Sequence, residues 1–153
     1  MNSKSFHSPL GRLTLTEING EIVRLSFDES LDFSDQSSII SKAEEQLNDY
    51  FLGRRKRFDL PLNPEGTAFQ KNVWEELEKI PFGATSSYGE LARKLGDPKK
   101  MRAIGAANGQ NPIPIIIPCH RVVGKDGKMI GFSGGVERKI KLLEHEGALL
   151  AFG

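Results

Sequence analysis

Within six residues, Pro61-Leu62-Asn63-Pro64-Glu65-Gly66 places two prolines and a glycine. Proline fixes φ and withholds a backbone N–H, and glycine loosens the backbone, so neither a helix nor a central strand can run through this stretch. The 153-residue chain therefore reads as two units, 1–62 and 67–153, joined by a linker at 63–66. The halves also differ in charge. Residues 1–66 carry 8 Lys and Arg against 11 Asp and Glu, net −3, whereas residues 67–153 carry 13 against 9, net +4. The second half is the one suited to a polyanion. Four basic residues, Arg54 to Arg57, break the acidic trend of the first half and read as a solvated helix end favoured by the helix dipole.

Hydrophobic residues at 38% and charged residues at 27% fit a soluble globular protein and exclude disordered and collagen-like classes. No apolar run approaches the ~20 residues of a membrane span, and the N-terminal residues lack the apolar core of a secretory leader. The expected location is the cytoplasm, or wherever the substrate lies. A single cysteine, Cys119, excludes an internal disulfide. With only His7, His120 and His145 beside it, no cysteine/histidine zinc site is expected, nor any other metal or cofactor.

The first unit predicts a small antiparallel sheet followed by a helix. Leu13 and Leu15 alternate with Thr14 and Thr16; Asn19-Gly20 then marks a hairpin turn before Ile22, Val23, Leu25 and Phe27. From Ser37 to Phe51, apolar Ile39, Ile40, Ala43, Leu47, Tyr50 and Phe51 recur at helical spacing, and Gly53 stops the run. The second unit is mainly helical. Thr67 caps a helix carrying Phe69, Val73, Trp74, Leu77 and Ile80, which Pro81-Phe82-Gly83 ends. Ser87-Tyr88-Gly89-Glu90 opens a short helix that Gly96 closes, and Asp97-Pro98 opens a third running to about Asn108. Short helix, tight glycine turn and basic second helix make a helix-turn-helix candidate. The third helix carries Lys99, Lys100 and Arg102 near its start and Ala103, Gly105, Ala106 and Ala107 after them. Those cations suit phosphates and the small residues suit shallow seating in a DNA groove, but small residues serve equally for close packing on a neighbouring helix.

Beyond that helix, Pro112, Pro114 and Pro118 forbid helix while Ile115 to Ile117 favour burial, so Cys119 leaves a rigid segment. A fixed cysteine can be a nucleophile or an inert core residue. His120 beside it is a potential base. In extended backbone, neighbouring side chains point to opposite faces, so a water or a local turn must connect the two. Glu144 and Glu146 are both candidates to orient the histidine.

Pro118-Cys119-His120-Arg121-Val122, preceded by Asn111-Pro112 and followed by Gly134-Gly135 and His145-Glu146-Gly147, resembles the active-site signature of the O6-alkylguanine-DNA alkyltransferases. The resemblance extends through Phe69-Gln70, Val73-Trp74, Ser87-Tyr88-Gly89-Glu90 and Arg102-Ala103, and more loosely over Ser8-Pro9-Leu10-Gly11. It implies a ribonuclease H-like α/β first domain and a winged-helix-like second domain. It implies also a single, irreversible transfer of an alkyl group from guanine O6 in flipped-out duplex DNA, with thymine O4 the alternative position, to the protein's own cysteine. By position, Cys119 matches the alkyl acceptor, His120 the base acting through water, Glu146 the orienting carboxylate and Asn111 the brace of the active-site turns. Tyr88 matches the donor to guanine N3, and Val122 with Cys119 the carbonyls for the exocyclic amine. Ser133 lies in the loop contacting the O6 side, and Phe132 stands where many relatives have tyrosine. Arg102 matches the residue that replaces the flipped base in the stack. Lys99, Lys100, Ala103, Ala106 and Arg121 complete the expected DNA surface. Ile130 stands at a loop position that is often smaller. The implied partner is double-stranded DNA, and the implied acting species a monomer. Two other classes use the same residues: a non-enzymatic lesion binder, whose members replace the cysteine, and a cysteine hydrolase, which usually places its histidine far downstream.

Overall fold

The computed structural model describes residues 1–29, 37–124, 127–129 and 132–148, and the chain divides into two compact units, Met1–Glu65 and Gly66–Gly153. In the first, strands β1 (Asn2–Ser8), β2 (Gly11–Ile18) and β3 (Glu21–Phe27) form an antiparallel sheet in that order. Asn19 and Gly20 join β2 to β3 with φ of 53° and 80°, the paired left-handed conformation that a two-residue hairpin requires and that Asn-Gly tolerates. β1 pairs with β2 despite a polar sequence, because cross-strand hydroxyls satisfy one another: Ser3 bonds Thr16 at 2.9 Å and Ser5 bonds Thr14 at 2.7 Å.

Helix α1 (Ser38–Phe51) begins where the Ser37 side chain accepts the Ile40 N–H at 3.2 Å. Its buried Ile40, Ala43, Leu47 and Tyr50 build the core with Leu13, Leu15, Ile22 and Leu25. The end of this unit is fastened to the sheet. Ile22 N–H donates to Pro61 O and Asn63 N–H to Ile22 O, each at 2.8 Å, so Leu62 forms a parallel bridge with Ile22. Proline fits there because an edge position asks for few N–H donors.

The second unit contains α2 (Ala68–Glu78), β4 (Ser86–Ser87), α3 (Tyr88–Lys94), α4 (Met101–Gly109), β5 (Val122–Val123) and α5 (Val136–His145). Thr67 and Gln70 form a reciprocal capping box at the start of α2, and Ser87 caps α3 through Glu90 N–H at 3.1 Å. The predicted third helix divides in two. Asp97 caps a 3-10 turn over Pro98–Lys100, and α-geometry begins only at Met101, a tightened first turn common at helix starts. α3, Gly96 at φ 85° and α4 make the helix-turn-helix. Trp74 Nε1 donates to Ala107 O at 2.9 Å and fixes α4 on α2. β4 and β5 pair in parallel, a two-residue pairing too short to leave a period in the sequence. Among the described residues no helix is long and apolar enough to cross a membrane.

Gly66 stands against the six-membered ring of Trp74. A Cβ there would lie 2.5 Å from Cη2, 2.7 Å from Cζ3 and 2.8 Å from Gln70 Oε1. Gly66→Ala should therefore destabilise the protein by ~1–3 kcal/mol, the usual penalty of forcing a packed ring to move. Urea unfolding measures it: the midpoint should fall with the slope unchanged, and an unshifted midpoint would show that the indole moves aside freely.

Candidate active site

The segment 111–119 winds around one side chain. Asn111 Oδ1 accepts the Ile113 N–H at 2.9 Å, and Asn111 Nδ2 donates to Ile117 O at 2.8 Å. Ile117 N–H closes the loop onto Ile113 O at 2.9 Å, and Cys119 N–H donates to Ile117 O at 2.8 Å. Ile115 has φ 75°, a left-handed conformation that strains a β-branched residue. Cys119 follows at the start of a 3-10 turn, Cys119–Arg121, with only 1% of its surface exposed. Burial pushes the Cys119 thiol up to about 11, against the Asn111 hydrogen bond and the Lys139 charge, which both favour thiolate.

His120, wholly buried, does not depend on the extended geometry expected of it, because the 3-10 turn redirects its ring. Its Nε2 lies 2.7 Å from Glu146 Oε2. Burial drives the histidine pKa below its ordinary value, outweighing the Glu146 hydrogen bond and charge. A neutral imidazole facing an acceptor-only carboxylate must donate from Nε2, which leaves the lone pair on Nδ1. Nδ1 is buried and has no hydrogen-bond partner among the described residues. The choice left open between two acids falls to Glu146, the residue that caps α5.

Arg121 corrects an expectation. Placed by sequence on the DNA surface, it is 6% exposed. Its Nε and Nη2 grip the two Glu146 oxygens at 2.8 and 3.0 Å, and Nη1 donates to Ile80 O at 2.7 Å. A buried carboxylate needs compensating charge, and Arg121 is committed to supplying it. The other cations of that prediction, Lys99, Lys100 and Arg102, are exposed, as are Ala103 and Ala106. Lys100 also lies over the Phe69 ring, 5.3 Å from its centre. Val122 is buried beside the cysteine turn, Phe132 is half-buried and Ser133 exposed. Ile130 lies outside the described residues.

The sequence matches the model of the 6-O-methylguanine DNA methyltransferase DNA-binding domain over residues 68–148, and that of the ribonuclease-like domain of the same proteins over residues 1–64. The chain belongs to the O6-methylguanine DNA methyltransferase family. A methylated-DNA–protein-cysteine methyltransferase of Methanosarcina acetivorans is 52% identical over 107 residues, covering 70% of this chain and 69% of that protein. One from Mycobacterium tuberculosis is 44% identical over 149 residues, covering 94% and 90%. The crystal structure of Mycobacterium tuberculosis OGT in complex with DNA superposes with a TM-score of 0.88 at 43% identity, covering 97% of this chain and 94% of that one.

Two buried polar residues of this methyltransferase-family site were not singled out by sequence. Lys139, on the buried face of α5 with Leu142 and Leu143, donates from Nζ to Val122 O at 2.5 Å. Asn108, on the buried face of α4 with Ile104 and Ala107, donates from Nδ2 to Cys119 O at 3.3 Å. Each had a signal available, a polar residue at apolar helical spacing. Burial brings the Lys139 pKa down to about 8, with Cys119 pulling the other way. An unfolded lysine holds its proton to ~10.4. Between those values the unfolded state binds more protons, so through this group stability rises with pH. The unfolding free energy of wild type minus that of Lys139→Met should accordingly climb from about pH 8 toward 10.5; a flat difference would show that Lys139 titrates normally.

Proposed function

We propose that the chain repairs DNA directly, taking the alkyl group from O6 of guanine onto Cys119 in one irreversible turnover. The observation that carries this reading is the 2.7 Å bond between His120 Nε2 and Glu146, which makes Nδ1 of the residue after the thiol a base. The thiol proton passes to Nδ1 through a water. Sulfur then attacks the alkyl carbon, the C–O bond breaks, and its electron pair leaves with the purine. Tyr88 donates to N3 as that charge develops. The proton released by the thiol is the one restored guanine requires, so His120 ends neutral and the only lasting change is a thioether. Asn111 holds the turn that aims sulfur; the carbonyls of Cys119 and Val122 receive the exocyclic amine; Phe132 and Ser133 line the approach to O6.

Guanine O6 is inside the duplex, so the base must leave the stack, at a cost of a few kcal/mol that is smaller for a poorly paired lesion. Arg102, exposed on the groove-facing side of α4, takes the vacated place, and Lys99 and Lys100 hold phosphates. DNA in the crystal of the Mycobacterium tuberculosis relative supports a DNA partner. In this reading the acting species is a monomer, and it works where the genome is.

Intact-mass analysis after mixing with excess duplex containing one O6-methylguanine tests the transfer. A single methylene increment on the Cys119 peptide, reached once, is expected, with Cys119→Ala binding the lesion and gaining nothing. Lesion binding by wild type without a mass change would instead mean a shielding protein.

The flipping role has its own measurement. Arg102→Ala should slow methyl transfer from duplex far more than from the free O6-methylguanine base. Equal slowing on both would remove Arg102 from the extrusion step.

A further inference from the structure

Asn108 touches two of the groups proposed to read the flipped base, Tyr88 and the Cys119 carbonyl. It is 1% exposed on the inner side of α4. Its Nδ2 donates to Cys119 O at 3.3 Å, and its side chain also hydrogen-bonds Tyr88 at the start of α3. An amide N–H can donate to the phenol oxygen and leave the phenol's own proton for another acceptor. The same ring packs on α4, with Cε1 3.9 Å from the Cβ position of Gly105. Trp74 secures the residue before Asn108 by its bond to Ala107 O, so Asn108 stands on fixed backbone.

Resting on the transfer reading above, we infer that Asn108 is a positioning residue that sets Tyr88 as a donor and the Cys119 carbonyl as an acceptor for the alkylated base. The two hydrogens of one planar amide hold these groups from a single point. With its oxygen accepting from Asn108, the Tyr88 O–H is left to face the purine, and a bond received on oxygen strengthens the bond given. The carbonyl of Cys119 keeps a second lone pair for the exocyclic amine. Asn108 acts through Tyr88 and the acceptor turn, and it ties both to the helix that carries Arg102.

The test is a double-mutant cycle on single-turnover rate constants with duplex O6-methylguanine, using wild type, Asn108→Leu, Tyr88→Phe and the double variant. Asn108→Leu should be about 10-fold slower, the scale of one lost hydrogen bond. The double variant should be slower than Tyr88→Phe by clearly less than 10-fold, because the part of the Asn108 effect that runs through the phenol is already gone. Multiplicative slowing, or a wild-type rate in Asn108→Leu, overturns the inference. If Asn108→Leu unfolds, Asn108→Met takes its place, as a flexible side chain fills irregular space. A readout independent of activity uses only folded proteins that retain Asn108: its side-chain amide resonances should move in Tyr88→Phe, and unmoved resonances overturn the contact. A wild type that never takes up methyl sinks the transfer reading, whereas a wild type that does, with a multiplicative cycle, sinks only the role of Asn108.

Discussion

Glu146 is the constraint to which the second unit is built. A carboxylate at 5% exposure loses several kcal/mol of hydration unless charges and donors replace the water. It receives the Arg121 fork, His120 Nε2 and, more distantly, Gly83 N–H at 3.4 Å. Because Arg121 also bonds Ile80 O, one anion joins the end of α5, the Cys119–Arg121 turn and the chain leaving α2. The same anion selects the histidine tautomer. Remove its charge and the imidazole has no reason to keep its lone pair on Nδ1, and the guanidinium is left buried without a counter-charge.

Burial keeps the Cys119 thiol protonated at rest. A thiol near pKa 11 is thiolate to only ~1 part in 10⁴ at pH 7, and the neighbouring histidine is neutral. Neither charge is stable alone in so dry a place. Lys139 and Asn111 each favour the thiolate, but burial dominates both. On the proposed reaction this is useful, since each molecule acts once and a standing thiolate would be lost to any stray electrophile. The sulfur becomes nucleophilic only as its proton finds Nδ1.

Sequence made the local grammar of this chain readable. Thr67, Ser87 and Asp97 cap where their spacing predicts, and Asn19-Gly20 turns where a hairpin requires it. Those features depend on neighbours within three or four residues. β1 was hidden because its one buried residue is Ser3, whose hydroxyl bonds Thr16 across the strand, which leaves no apolar period. The β4–β5 pairing and the two bonds of Asn108 join residues distant in sequence. Arg121 was misplaced for a related reason: an arginine beside an active-site histidine looks like a phosphate contact until the buried carboxylate that needs it is located. That Cys119, His120 and Asn111 gather in one place was legible from the run around Cys119 and its resemblance to a family; spacing alone left Glu144 and Glu146 open, and the fold pairs His120 with Glu146.

A single nine-residue helix, α4, carries the geometry of the proposed repair. One side exposes Arg102, Ala103 and Ala106, and the other buries Ile104, Ala107 and Asn108. On the proposed reaction the duplex lies on the outer side, and the helix, ~10–12 Å across with its side chains, stands between it and the cysteine turn that Asn108 bonds on the inner side. The thiol cannot close the gap, because Asn111 braces its turn and Ile115 stores strain in a conformation that only firm surroundings maintain. A fixed acceptor obliges the substrate to move. Extrusion of the base then follows from the rigidity of residues 111–119 as much as from the inaccessibility of O6 in the stack, and a small-residue outer face is what lets the duplex come close enough for the extruded base to arrive.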